Sequence, residues 1–124
     1  MPSIQIDIRE RGTPEYEVAV MLAVQTAMCE AFGVAITDID IRLLSHKPHR
    51  FVGGSVSRES ESLTRISIDA YPGRSIDTKR RLKQAILNRL GMLGIPASGV
   101  LIPLGEVAHE NWHRSSDQRD DLNT

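Results

Sequence analysis

The sequence predicts a mixed α/β (α+β) fold: tandem β-α-β units forming a four-stranded sheet with two helices on one face. Three observations predict it. Two stretches, IQIDI at 4–8 and ISIDA at 66–70, alternate apolar and polar residues with the period of a half-buried strand. Each is followed by a segment of helical length with its own start and stop signals. The order then repeats: moving IQIDI forward by 62 lands it on ISIDA, and moving FGVAITDIDI at 32–41 forward by 61 lands it on LGIPASGVLI at 93–102.

The first strand covers 2–9, with Ile4, Ile6 and Ile8 on one face and Gln5, Asp7 and Arg9 on the other. Thr13 is a good N-cap, Pro14 suits the first helical position, and Glu15 and Glu17 favour the positive end of the helix dipole. The helix runs to Phe32, with Val18, Met21, Leu22 and Met28 among its apolar positions, and Gly33 ends it. A second strand is expected over 38–44. In the second half, LTRISIDAY is the third strand and Ser75 caps a helix whose apolar stripe is Leu82, Ala85, Ile86, Leu90 and Leu93. Gly94 ends that helix, and GVLIPLGEV is the last strand. The chain therefore reads as one domain, 1–124, with units at 2–45 and 63–106. A linker at 46–62 carries Pro48, Gly53 and Gly54 and is expected to hold a short hairpin through Arg50–Val52. The tail at 113–124 is polar. Each unit calls for a right-handed crossover between parallel strands.

The totals narrow the function classes. The chain has 124 residues, 40% hydrophobic and 25% charged, which suits a single globular domain. Aromatic residues are only 4%, so the core must be aliphatic. A net charge of −1 gives no field that favours nucleic acid or an anionic membrane, and neither partner is expected. No apolar run approaches a membrane span and no signal peptide opens the chain. The lone Cys29 excludes an internal disulfide and fits a reducing, cytoplasmic setting. The sheet face that the two helices leave open is expected to carry Ile, Val and Leu, so cover from a partner subunit is expected.

Pro2, directly behind Met1, raises a chemical question. Proline is tolerated at the first residue of a strand, which is the plain structural reading. Met1 before a small residue is usually removed, and Pro2 would then carry a free secondary amine. Two β-α-β units related by a pseudo-two-fold axis lay strands one and three antiparallel, which brings the YPGRS end of strand three, and Arg74, towards Pro2. Arg74 can hold a carboxylate in a bidentate fork. Its charge and apolar walls would lower the amine pKa, and such a base suits proton transfer at carbon beside a carbonyl.

Pro2, the repeat of about 60 residues, GRS at 73–75 and ENW at 110–112 together resemble the tautomerase superfamily in its fused two-unit form, over residues 2–112. That resemblance implies a tautomerase/MIF-like fold assembled as a homotrimer. It also implies a cofactor-free isomerase acting on a small carboxylate, with Pro2 as catalytic base or acid and Arg74 as the carboxylate binder. AMCEAFGVAITD at 27–38 is similar to malonate semialdehyde decarboxylase, which puts Asp38 on a catalytic aspartate and Trp112 on a pocket tryptophan. Tyr71 would join Arg74 and Trp112 in binding substrate. That branch has two arginines one residue apart, whereas this chain has Arg74 and Ile76. The cis-3-chloroacrylic acid dehalogenase branch fits less well, with Cys29 in place of a histidine and Tyr71 in place of an arginine.

Each residue also has a plainer reading. Arg74 could be a solvated helix-start arginine, Asp38 a turn residue, and Trp112 a subunit-contact residue. Arg9 and Arg11 follow strand one, but the residue matching Pro2 there is Thr64, inside the chain, so they read as solvated or carboxylate-assisting, with solvation favoured. His46 and His49 lack a third ligand and read as loop residues; no metal and no cofactor is expected. Cys29 reads as core. Tautomerisation needs the fewest groups. Decarboxylation, or hydration and dehalogenation of three-carbon unsaturated acids, is the alternative, and a non-catalytic trimeric scaffold is the reading from another class.

Overall fold

The computed structural model of the chain describes residues 2–54 and 62–114. The expected linker and tail therefore lie partly outside the described residues. Strand β1 spans Ser3–Arg9 and helix α1 spans Pro14–Phe32. Strand β2 spans Asp40–His46. The second unit follows with β3 at Thr64–Ala70, α2 at Ile76–Met92, β4 at Val100–Leu101 and β5 at Leu104–Glu106.

The helix ends form where their signals stand. The Thr13 hydroxyl accepts from the Tyr16 N–H, and Pro14 opens α1, where a missing N–H costs nothing. Gly33 closes α1 at φ 67°, a left-handed conformation that a side chain would resist. Ser75 caps α2 by accepting from the Thr78 N–H.

The sheet order is β2-β1-β3-β4, with β5 also on β3. β1 and β2 are parallel, Ser3 opposite Asp40. β1 and β3 are antiparallel, with Ile4 opposite Ile68 and Ile6 opposite Ile66. Those reciprocal isoleucine pairs mark the pseudo-two-fold axis between the repeats. β4 and β5 continue one line on β3, Thr64 opposite Val100 and Ile68 opposite Leu104. The expected single last strand is thus interrupted at Pro103, which has no N–H for the ladder, although its carbonyl still accepts from the Ile68 N–H at 3.0 Å.

The core lies between the sheet and both helices. Ile4, Ile6, Ile8, Ile66 and Ile68 meet Val20, Val24 and Met28 of α1 and Leu82, Ile86 and Leu90 of α2. Each such side chain contributes about 1.5–3 kcal/mol on burial. α1 is apolar nearly all round, and it leaves Val18 and Leu22 exposed. Cys29 is half-buried against this core rather than inside it.

Four expectations need correction. The helix-free face of the sheet is not aliphatic: Ser3, Gln5, Asp7 and Arg9 alternate with the buried isoleucines, joined by Arg42, Arg65 and Ser67. Leu44 and Leu101 are the exposed aliphatic residues on it. Polar contacts cross it, from Arg42 Nη2 to Gln5 Oε1 at 2.8 Å and between His46 Nε2 and Asp7 Oδ1 at 2.7 Å. The second strand begins at Asp40, not 38, because Ile36–Asp38 closes a 3₁₀ turn with the Asp38 N–H on the Ala35 carbonyl. Its last residue is His46, which is therefore a strand residue paired with Asp7 rather than a loop residue. Instead of a hairpin through Arg50–Val52, Pro48–Arg50 forms a 3₁₀ turn, since Pro48 presets φ and the Arg50 N–H bonds the Lys47 carbonyl.

Candidate active site

One end of the sheet gathers most of the residues singled out by sequence. Pro2 precedes β1 and is buried, and its carbonyl accepts from the Asp40 N–H at 3.2 Å. Asp38 stands two residues before that donor, exposed, at the end of its 3₁₀ turn. Because Ser3 lies opposite Asp69 on β3, the chain leaves β3 beside Pro2 and enters the Tyr71–Arg74 turn at the same end. Gly73 takes φ 116° there, which lets the turn reach the Ser75 cap.

Arg74 is held on two sides. Its Nη1 donates to the Tyr71 carbonyl at 3.2 Å, and its guanidinium carbon lies 4.1 Å from the centroid of the Phe32 ring. Among the described residues, its Nε and Nη2 have no protein hydrogen-bond acceptor. A guanidinium has five donors in a planar fork, so that edge suits a carboxylate.

β5 brings a second group to the turn. Glu106 lies opposite Ala70, and the next residue, Val107, donates its N–H to the Ala70 carbonyl at 2.8 Å. Glu106 Oε1 accepts from Lys79 Nζ at 2.7 Å. The Lys79 hydrogen bond above all holds the Glu106 carboxyl below its usual range; burial opposes it as the second-largest effect, and the Lys79 charge, the Gly73 N–H and the Arg74 charge add smaller lowering effects.

Aromatic residues form the outer wall. The Tyr71 ring stacks on His109 at 3.9 Å and 18° and meets Trp112 edge-on at 5.7 Å. Trp112 Nε1 donates to the Val107 carbonyl at 2.9 Å, which fixes the indole across the end of β5.

Pro2, Asp38, Tyr71, Arg74 and Trp112 thus all lie on segments that meet at one end of the sheet. Phe32, His109 and Glu106 join them without having been assigned a role from sequence. Phe32 looked like one more apolar helix position, and His109 gains its place only through the His109–Asn111 turn.

The opposite end is built differently. Thr64 is fully buried and bonds the Ser62 carbonyl, Arg9 Nε donates to the Phe51 carbonyl at 2.7 Å, and Arg11 bonds the Ser62 hydroxyl. Both arginines there brace the chain. A groove of about 510 Å³ on the helix layer is lined by residues such as Glu30, Arg81, Asn88 and Met92, and it includes neither Pro2 nor Arg74. Among the described residues no group of three His, Cys, Asp or Glu could hold a metal ion, and no helix is long and apolar enough to cross a membrane.

The sequence model of the family described as "Tautomerase enzyme" matches residues 40–114, so the chain belongs to the tautomerase family. Solved structures agree. A malonate semialdehyde decarboxylase, FG41, inhibited by 3-bromopropiolate is 28% identical with a TM-score of 0.84, covering 98% of this chain and 96% of that one. A second malonate semialdehyde decarboxylase is 23% identical with a TM-score of 0.83, covering 96% and 98%. A fused 4-OT solved as a symmetric trimer is 16% identical with a TM-score of 0.81, covering 91% of each chain. No curated protein matches the sequence.

Proposed function

We propose that this protein is a cofactor-free tautomerase that moves protons on a small 2-oxo or enol carboxylate. After removal of Met1, the Pro2 amine takes the enol O–H proton and a proton is returned to the neighbouring carbon, giving the ketone. Arg74 binds the carboxylate through its Nε–Nη2 edge. Asp38 orients the carbonyl or a water. Tyr71 and Trp112 wall the pocket and exclude solvent. The observation that carries this reading is the strand register, which puts the residue ahead of β1 and the Arg74 turn after β3 at one end of the sheet.

A base near neutral pH is what such a reaction needs. An ordinary amino-terminal pKa is about 7.7–8.0, and a neighbouring guanidinium and a buried setting both act to lower it. The structurally similar malonate semialdehyde decarboxylase was also solved with its first proline changed to alanine, in work on its decarboxylase and hydratase activities.

Decarboxylation is the second reading, favoured by the 28% identity to a malonate semialdehyde decarboxylase. Ile76, at the first position of α2 and 66% exposed, cannot supply a second cation, and this leaves tautomerisation ahead. Assembly as a homotrimer is part of the proposal, supported by the fused 4-OT solved as a symmetric trimer. Assay against phenylenolpyruvate, 2-hydroxymuconate, malonate semialdehyde and 3-haloacrylates separates the readings. Ketonisation of the enols supports the tautomerase. Turnover of malonate semialdehyde alone favours the decarboxylase. No turnover of any substrate leaves a trimeric scaffold.

A further inference from the structure

The guanidinium of Arg74 is set by a residue from the other repeat. Phe32 is the last residue of α1, and Gly33 turns the chain away immediately after it at φ 67°. The ring is left at the helix end, half-buried against the core, with the Arg74 guanidinium carbon 4.1 Å from its centroid. A cation this close to a ring face is attracted by the ring quadrupole, and the flat guanidinium stacks there better than an ammonium would. The Tyr71 carbonyl takes Nη1 from a second direction. The ring covers one face and the carbonyl takes one edge nitrogen. Nε and Nη2 then stay together on the remaining edge.

We propose that Phe32 is a positioning residue for carboxylate recognition: its ring fixes the plane of the Arg74 guanidinium so that the Nε–Nη2 edge is preset for a substrate carboxylate. This rests on the proposed role of Arg74 and adds to it. A free arginine side chain loses considerable rotamer entropy when it binds. Stacking removes much of that loss before substrate arrives, so the effect belongs in binding and not in the chemical step. It also couples the repeats, because the end of α1 in one unit sets a binding group at the start of α2 in the other.

The test is a double-mutant cycle on the full chain, using phenylpyruvate binding and phenylenolpyruvate turnover as separate readouts. Phe32→Leu keeps an apolar side chain and loses the ring; Phe32→Tyr keeps the ring. Phe32→Leu should weaken phenylpyruvate binding and raise KM by about 3–30-fold, the range of a cation–π contact, with kcat little changed. Phe32→Tyr should stay near wild type. In an Arg74→Ala background, Phe32→Leu should add nothing. The Arg74 Nε–H resonance should be shifted upfield by the ring current in wild type and Phe32→Tyr, and lose that shift in Phe32→Leu. Phe32→Leu that binds like wild type, or that loses the same factor with Arg74 absent, overturns the inference. So does a wild type that does not bind phenylpyruvate. A wild type that binds phenylpyruvate in the predicted pattern but turns over no enol keeps the inference and removes the tautomerase reaction.

Discussion

The Asp40 amide donates to the carbonyl oxygen of Pro2 at 3.2 Å, so the residue ahead of β1 is tied to the first residue of β2. That bond holds Pro2 by its carbonyl and leaves its nitrogen out of the ladder. With Met1 removed, as proposed, the Pro2 amine would be placed without being used structurally. The consequence is chemical and can be measured in several ways.

An amine-directed label such as 3-bromopropiolate should modify one residue per chain, and peptide mapping should place it on Pro2 of a chain lacking Met1. The pseudo-symmetric counterpart, Thr64, is fully buried and its nitrogen is an in-chain amide, so it should stay unlabelled. Two labels per chain, or one near Thr64, would contradict a single site.

Arg74→Ala should raise KM for an enol carboxylate by about 10–100-fold, the worth of charge-assisted hydrogen bonds, and lower kcat less. Arg74→Lys should recover only part of this, since an ammonium is a point charge without the planar fork. Steady-state kinetics on the three proteins check both statements. Equal losses in kcat and kcat/KM would instead assign Arg74 to the transition state.

Glu106 predicts a pH dependence of stability. Its carboxyl is held below the usual range by the Lys79 hydrogen bond first, then by the Lys79 charge, the Gly73 N–H and Arg74. On acidification the unfolded chain therefore takes up this proton before the folded one does. The contribution is present above the ordinary value of 4.5 and is lost as pH falls through the lower folded value. Thermal melts of wild type and Glu106→Gln should differ at pH 7 and converge towards pH 3. A gap that widens on acidification would contradict this sign.

The element order and caps were legible because the signals are local. Thr13-Pro14 and Ser75 start helices, Gly33 stops one, and alternating isoleucines set β1 and β3. The pseudo-two-fold pairing followed from the repeat. Tertiary contacts were less legible. Nearly continuous apolar residues in α1 hid which face is buried, so Val18 and Leu22 gave no warning of their exposure. The polar residues between the isoleucines of β1 should have ruled out an aliphatic open face. Asp38 read equally as a catalytic aspartate and as a plain turn or strand-start residue; it sits in a turn whose Asp38 N–H closes on Ala35, and a turn residue can still carry the proposed role. The stack of Phe32 under Arg74 joins residues from different repeats, and no spacing in the sequence announces it.

The polar open face changes the expected character of the assembly. Gln5, Asp7, Arg42 and His46 already bond one another across it. An interface that uses it would be rich in hydrogen bonds, and its ion pairs would weaken with salt. Light scattering should give a trimer at micromolar concentration. A stable monomer there would remove the proposed assembly.

Whether Pro2 is the base is read from the pH dependence of kcat/KM for ketonisation of phenylenolpyruvate, measured on wild type and Pro2→Ala. A neutral Pro2 base predicts a rate that rises as the amine loses its proton, through a pKa below the ordinary 7.7–8.0, then levels. Pro2→Ala keeps a free amine, primary and more mobile, so it should retain reduced activity with a shifted inflection. A profile flat from pH 5 to 9, with Pro2→Ala equal to wild type, would contradict the account and leave Pro2 as a strand start. A rate that falls through the amine pKa would also contradict it, because Pro2 would then work as an acid.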